Sequence, residues 1–206
     1  MKKILFTLLL GLGAFNTASA VEGDAEAGKN KSAVCAACHG VDGNSAVAIY
    51  PKIAGQSATY LAKQLADFKL GMSSGGKEGR ADPIMGGMAM ALSEQDMADL
   101  AAYFSSQKQS PGSDTTNETG RKLYLGGDSS RGITACVACH GVTGKGMEQA
   151  GFPSIGEQNA AYIQSQLEKF RSGARANDKA SMMRNIAMKL EDADIEALTQ
   201  FIASLK

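Results

Sequence analysis

All four cysteines and both histidines of the 206-residue chain fall in two copies of one pattern, Cys35-Ala36-Ala37-Cys38-His39 and Cys136-Val137-Ala138-Cys139-His140. Two thiols three positions apart lie on one side of a helical turn, where each can add to a vinyl group of a haem as a thioether. The histidine that follows can then reach the iron as proximal ligand. The other uses of a C-x-x-C pair are a zinc half-site, a thioredoxin-like dithiol or a disulfide. A joint zinc site would draw ligands from both copies and leave both histidines without a role. The pattern therefore implies two covalently attached haem c groups on Cys35, Cys38, Cys136 and Cys139, with His39 and His140 on the irons.

The segment ahead of the first motif agrees with that chemistry. Residues 1–20 carry Lys2 and Lys3, an apolar run over 4–15 and a small-residue cleavage pattern, Ala18-Ser19-Ala20, which together read as a secretory signal peptide. The apolar run is short for a membrane span, and no other stretch competes with it. The expected mature chain starts at Val21, is exported to the periplasm and, without Lys2 and Lys3, keeps 19 basic against 21 acidic residues. A net charge near −2 gives no support to a nucleic-acid partner.

The chain is a tandem duplication. His39 pairs with His140 at an offset of 101, and Gly40 and Gly43 follow with Gly141 and Gly144. At offset 102, Tyr50-Pro51 pairs with Phe152-Pro153, Gln56 with Gln158, Tyr60 with Tyr162, Gln64-Leu65 with Gln166-Leu167, and Phe68 with Phe170. At offset 98, Met85 pairs with Met183, Leu92 with Leu190 and Tyr103-Phe104 with Phe201-Ile202. Residues 105–117 lack apolar periodicity and are rich in Ser, Thr, Gly, Pro and Asn, so they read as an exposed linker into which the preceding helix frays. This divides the chain into domains at 21–107 and 118–206, joined by a linker over 108–117. Each is small for a purely apolar core, and a buried haem would supply much of the missing contact.

The expected fold class is all-α. First helices are read at 24–34 and 118–125, middle helices at 57–70 and 159–171, and final helices at 93–106 and 191–205. In the middle helices Leu61, Leu65 and Phe68, and Ile163, Leu167 and Phe170, mark one face. Ser93 is the expected N-cap of the final helix of the first copy, whose Met97, Leu100, Ala101 and Phe104 read as core. Tyr60 and Tyr162 either hydrogen-bond near the haems or, by preference, fill aromatic core positions.

With no third histidine, bis-histidine ligation within the chain is excluded, and the sixth position falls to Met, Lys, Tyr, an amine, water or a substrate, among which methionine is plentiful near the end of each copy. Met85 and Met183 are preferred because they align and stand seven residues before Leu92 and Leu190, in what reads as a loop free to bend over the haem. Met90 and Met188 also align, but lie nearer the helix start, where packing is the simpler role. His/Met coordination raises the reduction potential and fills the last axial position, leaving outer-sphere electron transfer. Pro51 and Pro153 stand 12 and 13 residues after their histidines. Each serves either as a carbonyl acceptor for the imidazole N–H or as a rigid turn.

The two C-x-x-C-H motifs, the paired PKIAGQ and PSIGEQ segments, and the Met segments leading into LSEQDMADLAAYF and LEDADIEALTQFI give the chain a resemblance to the cytochrome c4 family. The resemblance covers essentially all of the mature sequence. It implies two class I cytochrome c domains related by an approximate two-fold, with haem propionate edges facing across their interface. It also implies irons ligated by His39 with Met85 and by His140 with Met183. Such proteins carry electrons from a quinol-oxidising complex or another cytochrome toward a terminal oxidase, so peripheral association with a membrane would come through partners. One departure stands out: Gly28 lies seven residues before Cys35, whereas Gly120 lies 16 before Cys136. The competing readings are a dihaem enzyme with one open iron, and a permanent subunit of an oxidase complex.

Overall fold

The structure is a computed structural model and describes residues 21–206, so the leader read at 1–20 lies outside the described residues. Among the described residues, ten α-helices form two successive sets of five. The first set is α1 (Ala25–Lys31), α2 (Ala33–His39), α3 (Ala58–Ser73), α4 (Pro83–Met90) and α5 (Glu94–Ser105). The second is α6 (Glu118–Gly126), α7 (Val137–His140), α8 (Ala160–Ser172), α9 (Met182–Ala187) and α10 (Asp192–Ser204). Among the described residues there is no strand, only isolated bridges between Asp128 and Ile133 and between Met147 and Phe152. No described helix is long and apolar enough to cross a membrane.

Several helices start where a side chain satisfies their free N–H groups. Asp24 accepts from the N–H groups of Glu26 and Ala27 to open α1, and Asp82 accepts from Met85 N–H to open α4, with Pro83 in the first turn. Ser93 and Asp96 form a reciprocal capping box on α5, and Glu191 and Asp194 form one on α10. The helix expected over 24–34 is broken at Ser32, whose hydroxyl donates to Lys29 O at 2.8 Å and ends α1. A second short helix then carries the first motif.

In each domain the first helix crosses the last, α1 on α5 and α6 on α10. The crossing is so close that a Cβ on Gly28 would lie 2.0 Å from Asp99 O, and one on Gly120 would lie 2.0 Å from Ala197 O. These glycines thus let two backbones touch, which is why they recur in both copies. Met97, Leu100, Ala101 and Phe104 of α5 are buried, as their spacing implied. The middle and Met-bearing helices, α3 with α4 and α8 with α9, pack beside this pair.

The segment expected to be an exposed linker is exposed at Lys108, Pro111, Asp114, Thr115 and Thr116, but it is fastened to both domains in between. Asn44 Oδ1 accepts from Ser110 N–H (2.7 Å), Gln109 donates to Gly156 O (2.9 Å), and Ser113 N–H donates to Ala203 O (2.9 Å). The Lys52 ammonium, in a residue only 8% exposed, donates to Ser110 O and Pro111 O. The polar composition that suggested solvent exposure supplies backbone and side-chain partners to both domains. Gln109, Ser110, Gly112 and Ser113 are half-buried accordingly.

Candidate haem sites and the domain interface

Helix α2 and the short α7 end on His39 and His140, and the chain turns away at Gly40 and Gly141, whose φ values of 81° and 75° belong to glycine. Ser45 Oγ donates to Cys38 O at 2.7 Å and fixes the end of the first motif. All four cysteines are half-buried, and none is in a disulfide. Burial pushes the Cys35 thiol up and takes Cys136 to about 11. Among the described residues no three His, Cys, Asp or Glu side chains gather into a metal cage, so the motifs do not converge on one joint zinc site.

Both histidines are 7% exposed, and each ring is fixed the same way. His39 Nδ1 lies 2.9 Å from Pro51 O, and His140 Nδ1 lies 3.0 Å from Pro153 O. A carbonyl oxygen only accepts, so Nδ1 carries the proton and Nε2 is left with the lone pair that binds metal. Burial lowers both imidazole pKa values against the opposing carbonyl bond, favouring the neutral, ligating form. Of the two roles open to these prolines in sequence, the carbonyl-acceptor role is therefore present.

The preferred methionines are not in loops. Met85 sits in α4 and Met183 in α9, each half-buried. Met88, Met90, Met182 and Met188 are more exposed, from 37% to 64%. The loop was expected because both methionines stand seven residues before the leucine at the start of the last helix, which left room for one. The helix forms because Asp82 and Pro83 initiate it and α3 supports it. In the second copy Asp178 takes the place of Asp82, accepting from both the backbone and the guanidinium of Arg184 at 3.0 and 2.7 Å.

Tyr60 and Tyr162 belong to the contact between domains rather than to either core. Arg80 donates to Gln64 of its own domain (2.8 Å) and to Tyr162 Oη (3.1 Å) and Gln166 (2.7 Å) of the other. Arg175 mirrors it, donating to Gln166 (2.9 Å), and across the interface to Tyr60 Oη (2.9 Å) and Gln64 (3.1 Å). Each guanidinium lies 4.5 Å over a phenylalanine ring of its own domain, Phe68 or Phe170. Both arginines are under 9% exposed, and among the described residues neither has a carboxylate partner. Buried cations with neutral partners fit an acidic group, as the carboxylate-bearing edge of a haem is. The two arginines do not stand out as repeat partners because the loops before them differ in length, giving an offset of 95. The repeated Arg-Ala-Asp and Arg-Ala-Asn tripeptides at 80–82 and 175–177 were the available signal.

A second pair of contacts crosses the interface. Gln158 accepts from Lys52 N–H and donates to Lys52 O, both at 2.8 Å. Gln56 accepts from Ser154 N–H (3.0 Å) and donates to Ser154 O (2.8 Å). Lys52 and Ser154 occupy equivalent positions, so the two domains clasp each other with pseudo-two-fold symmetry.

Two helical domains, each presenting two cysteines, a carbonyl-fixed histidine and a half-buried methionine, define a tandem c-type cytochrome. The family model for cytochrome c matches residues 25–108 and again 118–206. Cytochrome c4 of Stutzerimonas stutzeri is 50% identical over 100% of both chains. The crystal structure of reduced recombinant cytochrome c4 from Pseudomonas stutzeri is 48% identical and matches with a TM-score of 0.85 over 89% of this chain and 100% of that one. A thiosulfate dehydrogenase electron acceptor of Thiomonas intermedia is 36% identical over 84% of this chain and 79% of its own length. The chain belongs to the cytochrome c4 family: it is a dihaem electron carrier, not an enzyme, and binds two haem c groups covalently.

Proposed function

We propose that this carrier relays electrons in a respiratory chain in the periplasm, from a quinol-oxidising complex or a cytochrome donor toward a terminal oxidase. Its irons are held by His39 with Met85 and by His140 with Met183, and its haems by Cys35, Cys38, Cys136 and Cys139. The domains run over 21–107 and 118–206, with 108–117 as the strap between them. The haem, when bound, supplies reversible one-electron chemistry. The chain's residues hold the imidazole ring and its proton, exclude water and place cationic donors, Arg80 and Arg175, at the acidic edge. The observation that carries the ligand assignment is the pairing, in both copies, of a carbonyl-locked buried histidine with the methionine that is the less exposed of the aligned candidates. A filled sixth position leaves no open site for substrate, which favours a carrier over a dihaem oxidoreductase. The likeness to a protein named for accepting electrons from thiosulfate dehydrogenase supports a sulfur-oxidising enzyme as a further donor class.

Near-infrared and optical spectra of the oxidised holoprotein test the ligation. Two equivalents of low-spin haem with the charge-transfer signature of Met-bound ferric iron are expected. Met85→Ala removes that signature from one haem, whereas Met90→Ala leaves both. A high-spin haem in the unmutated protein overturns the carrier reading and directs the search to a substrate.

A further inference from the structure

The interdomain glutamines touch the peptide units that hold the proximal histidines. Pro51 C=O and Lys52 N–H belong to one planar amide, as do Pro153 C=O and Ser154 N–H. The first amide accepts from His39 Nδ1–H on one side and donates to Gln158 Oε1 on the other. The second accepts from His140 Nδ1–H and donates to Gln56 Oε1. Each histidine is therefore joined to a glutamine of the opposite domain through two hydrogen bonds and one intervening peptide group.

We infer that Gln56 and Gln158 are crossed positioning residues for electron transfer: each tunes the proximal histidine, and hence the reduction equilibrium, of the haem in the other domain. Hydrogen bonds in a chain polarise one another, so an amide whose N–H is engaged offers a more negative carbonyl. A stronger acceptor at Nδ1–H gives the imidazole more anionic character and stabilises ferric iron. The glutamines are built for this task. Both are 8% exposed, and each Oε1 is also aimed by a backbone N–H of its own domain, Ser57 for Gln56 at 3.0 Å and Asn159 for Gln158 at 2.9 Å. Their Nε2 groups close a two-point grip on the same residue whose N–H they accept. Docking of the two domains and the electronic state of both proximal ligands are thereby linked without a shared ligand.

The inference rests on His39 and His140 being the proximal ligands, and one NMR experiment on the holoprotein separates the two claims. Large hyperfine or ring-current shifts on both histidine rings support ligation; ordinary shifts defeat it, whatever the glutamines do. In Gln158→Leu, the ferrous-to-ferric ratio of the haem on Cys35 and Cys38 is expected to rise about twofold at a fixed ambient potential. The His39 Nδ1–H resonance should move toward that of a weaker hydrogen bond. The haem on Cys136 and Cys139 and the His140 resonance should stay in place. Gln56→Leu should give the reverse pattern. Gln158→Glu keeps an acceptor at the same position; at alkaline pH, with its carboxylate ionised, it should shift the first haem toward ferric. Equal shifts of both haems, shifts confined to the mutated domain, or the same sign for the Leu and Glu variants would show that the glutamines only hold the domains together, and would overturn the inference.

Discussion

The two domains build one site with different supports, and the differences lie where the helices enter it. In the first, α1 is tied to α5 by polar contacts: Asp99, 2% exposed, accepts from Asp24 N–H (2.9 Å), the Lys31 ammonium (2.6 Å) and Gln95 (2.8 Å). In the second, Ala197 stands in the place of Asp99, and the work passes to apolar packing and to the insertion before Cys136. Leu123, Tyr124, Ile133, Ile195, Leu198 and Phe201 join one buried cluster, with Tyr124 at 0% exposed. The inserted loop is pinned by Arg131, which reaches Asp128 (2.7 Å) and forks onto Asp194 at 2.7 and 3.0 Å. The chain entering α9 is also more strained than the entry to α4, with Ala180 and Ser181 at φ 51° and 58°. A duplicated fold thus keeps its ligand-bearing turns alike while the scaffold behind them drifts from a buried carboxylate to a hydrophobic cluster.

The feature the domains share most closely should give the largest effect when broken. Gly28→Ala and Gly120→Ala each force a methyl into a backbone carbonyl 2.0 Å away, where no side-chain adjustment relieves the clash. Each should cost about 3 kcal/mol or more. Denaturant unfolding followed at each haem separately checks this, and a loss below about 1 kcal/mol in either variant would show that the helix crossing is not rigid. The Gly120 variant is expected to spread its effect over the apolar cluster, and the Gly28 variant to stay confined to the polar tie.

What could be read from the chain follows from how local each signal is. The haem-binding turns and the final helices declare themselves through short spacings, Cys35 to His39 and Ser93 with Asp96, and the duplication through matched runs such as Tyr50-Pro51 with Phe152-Pro153. The carbonyl partners of the histidines were visible as candidates because a proline recurred after each motif. The interface was not legible, since it joins residues about a hundred positions apart that each look ordinary: Gln56 and Gln158 read as repeat markers, and Tyr60 and Tyr162 as core aromatics. The fastening of residues 108–117 was hidden for a similar reason. Polar composition signals solvent only when no other part of the chain takes the hydrogen bonds, and here Asn44, Lys52, Gly156 and Ala203 take part in them.

A middle-sized difference is expected from the tyrosine that brackets each motif. Tyr124, on the first helix of its domain, donates to Gly141 O at 2.7 Å just past the second motif, and desolvation pushes its phenol pKa well up. The first domain uses Tyr103 of its last helix instead, donating to Val41 O at 3.0 Å in an exposed setting. Tyr124→Phe should therefore cost about 1 kcal/mol, and Tyr103→Phe a few tenths. Thermal unfolding of the two variants checks the order, and equal losses would erase this distinction between the domains.

The smallest contrast appears only in acid. The backbone N–H of Asp24, then the Lys31 ammonium and Gln95, hold the Asp99 carboxyl at about 2, below the ordinary value near 3.9 for a carboxylate in an unfolded chain. A depressed folded-state pKa means that this tie contributes fully above about pH 4 and that its contribution is lost as pH falls from there through about 2. The second domain has no counterpart at Ala197, although Asp194 titrates low beside Arg131. Asp99→Asn should lower the stability of the first domain at neutral pH and flatten its acid limb between about pH 4 and 2, while leaving the acid limb of the second unchanged. Acid titration followed at each haem measures this, and an unchanged slope in the variant would move the acid sensitivity of the first domain to Asp96, which shares Lys31 at 2.6 Å.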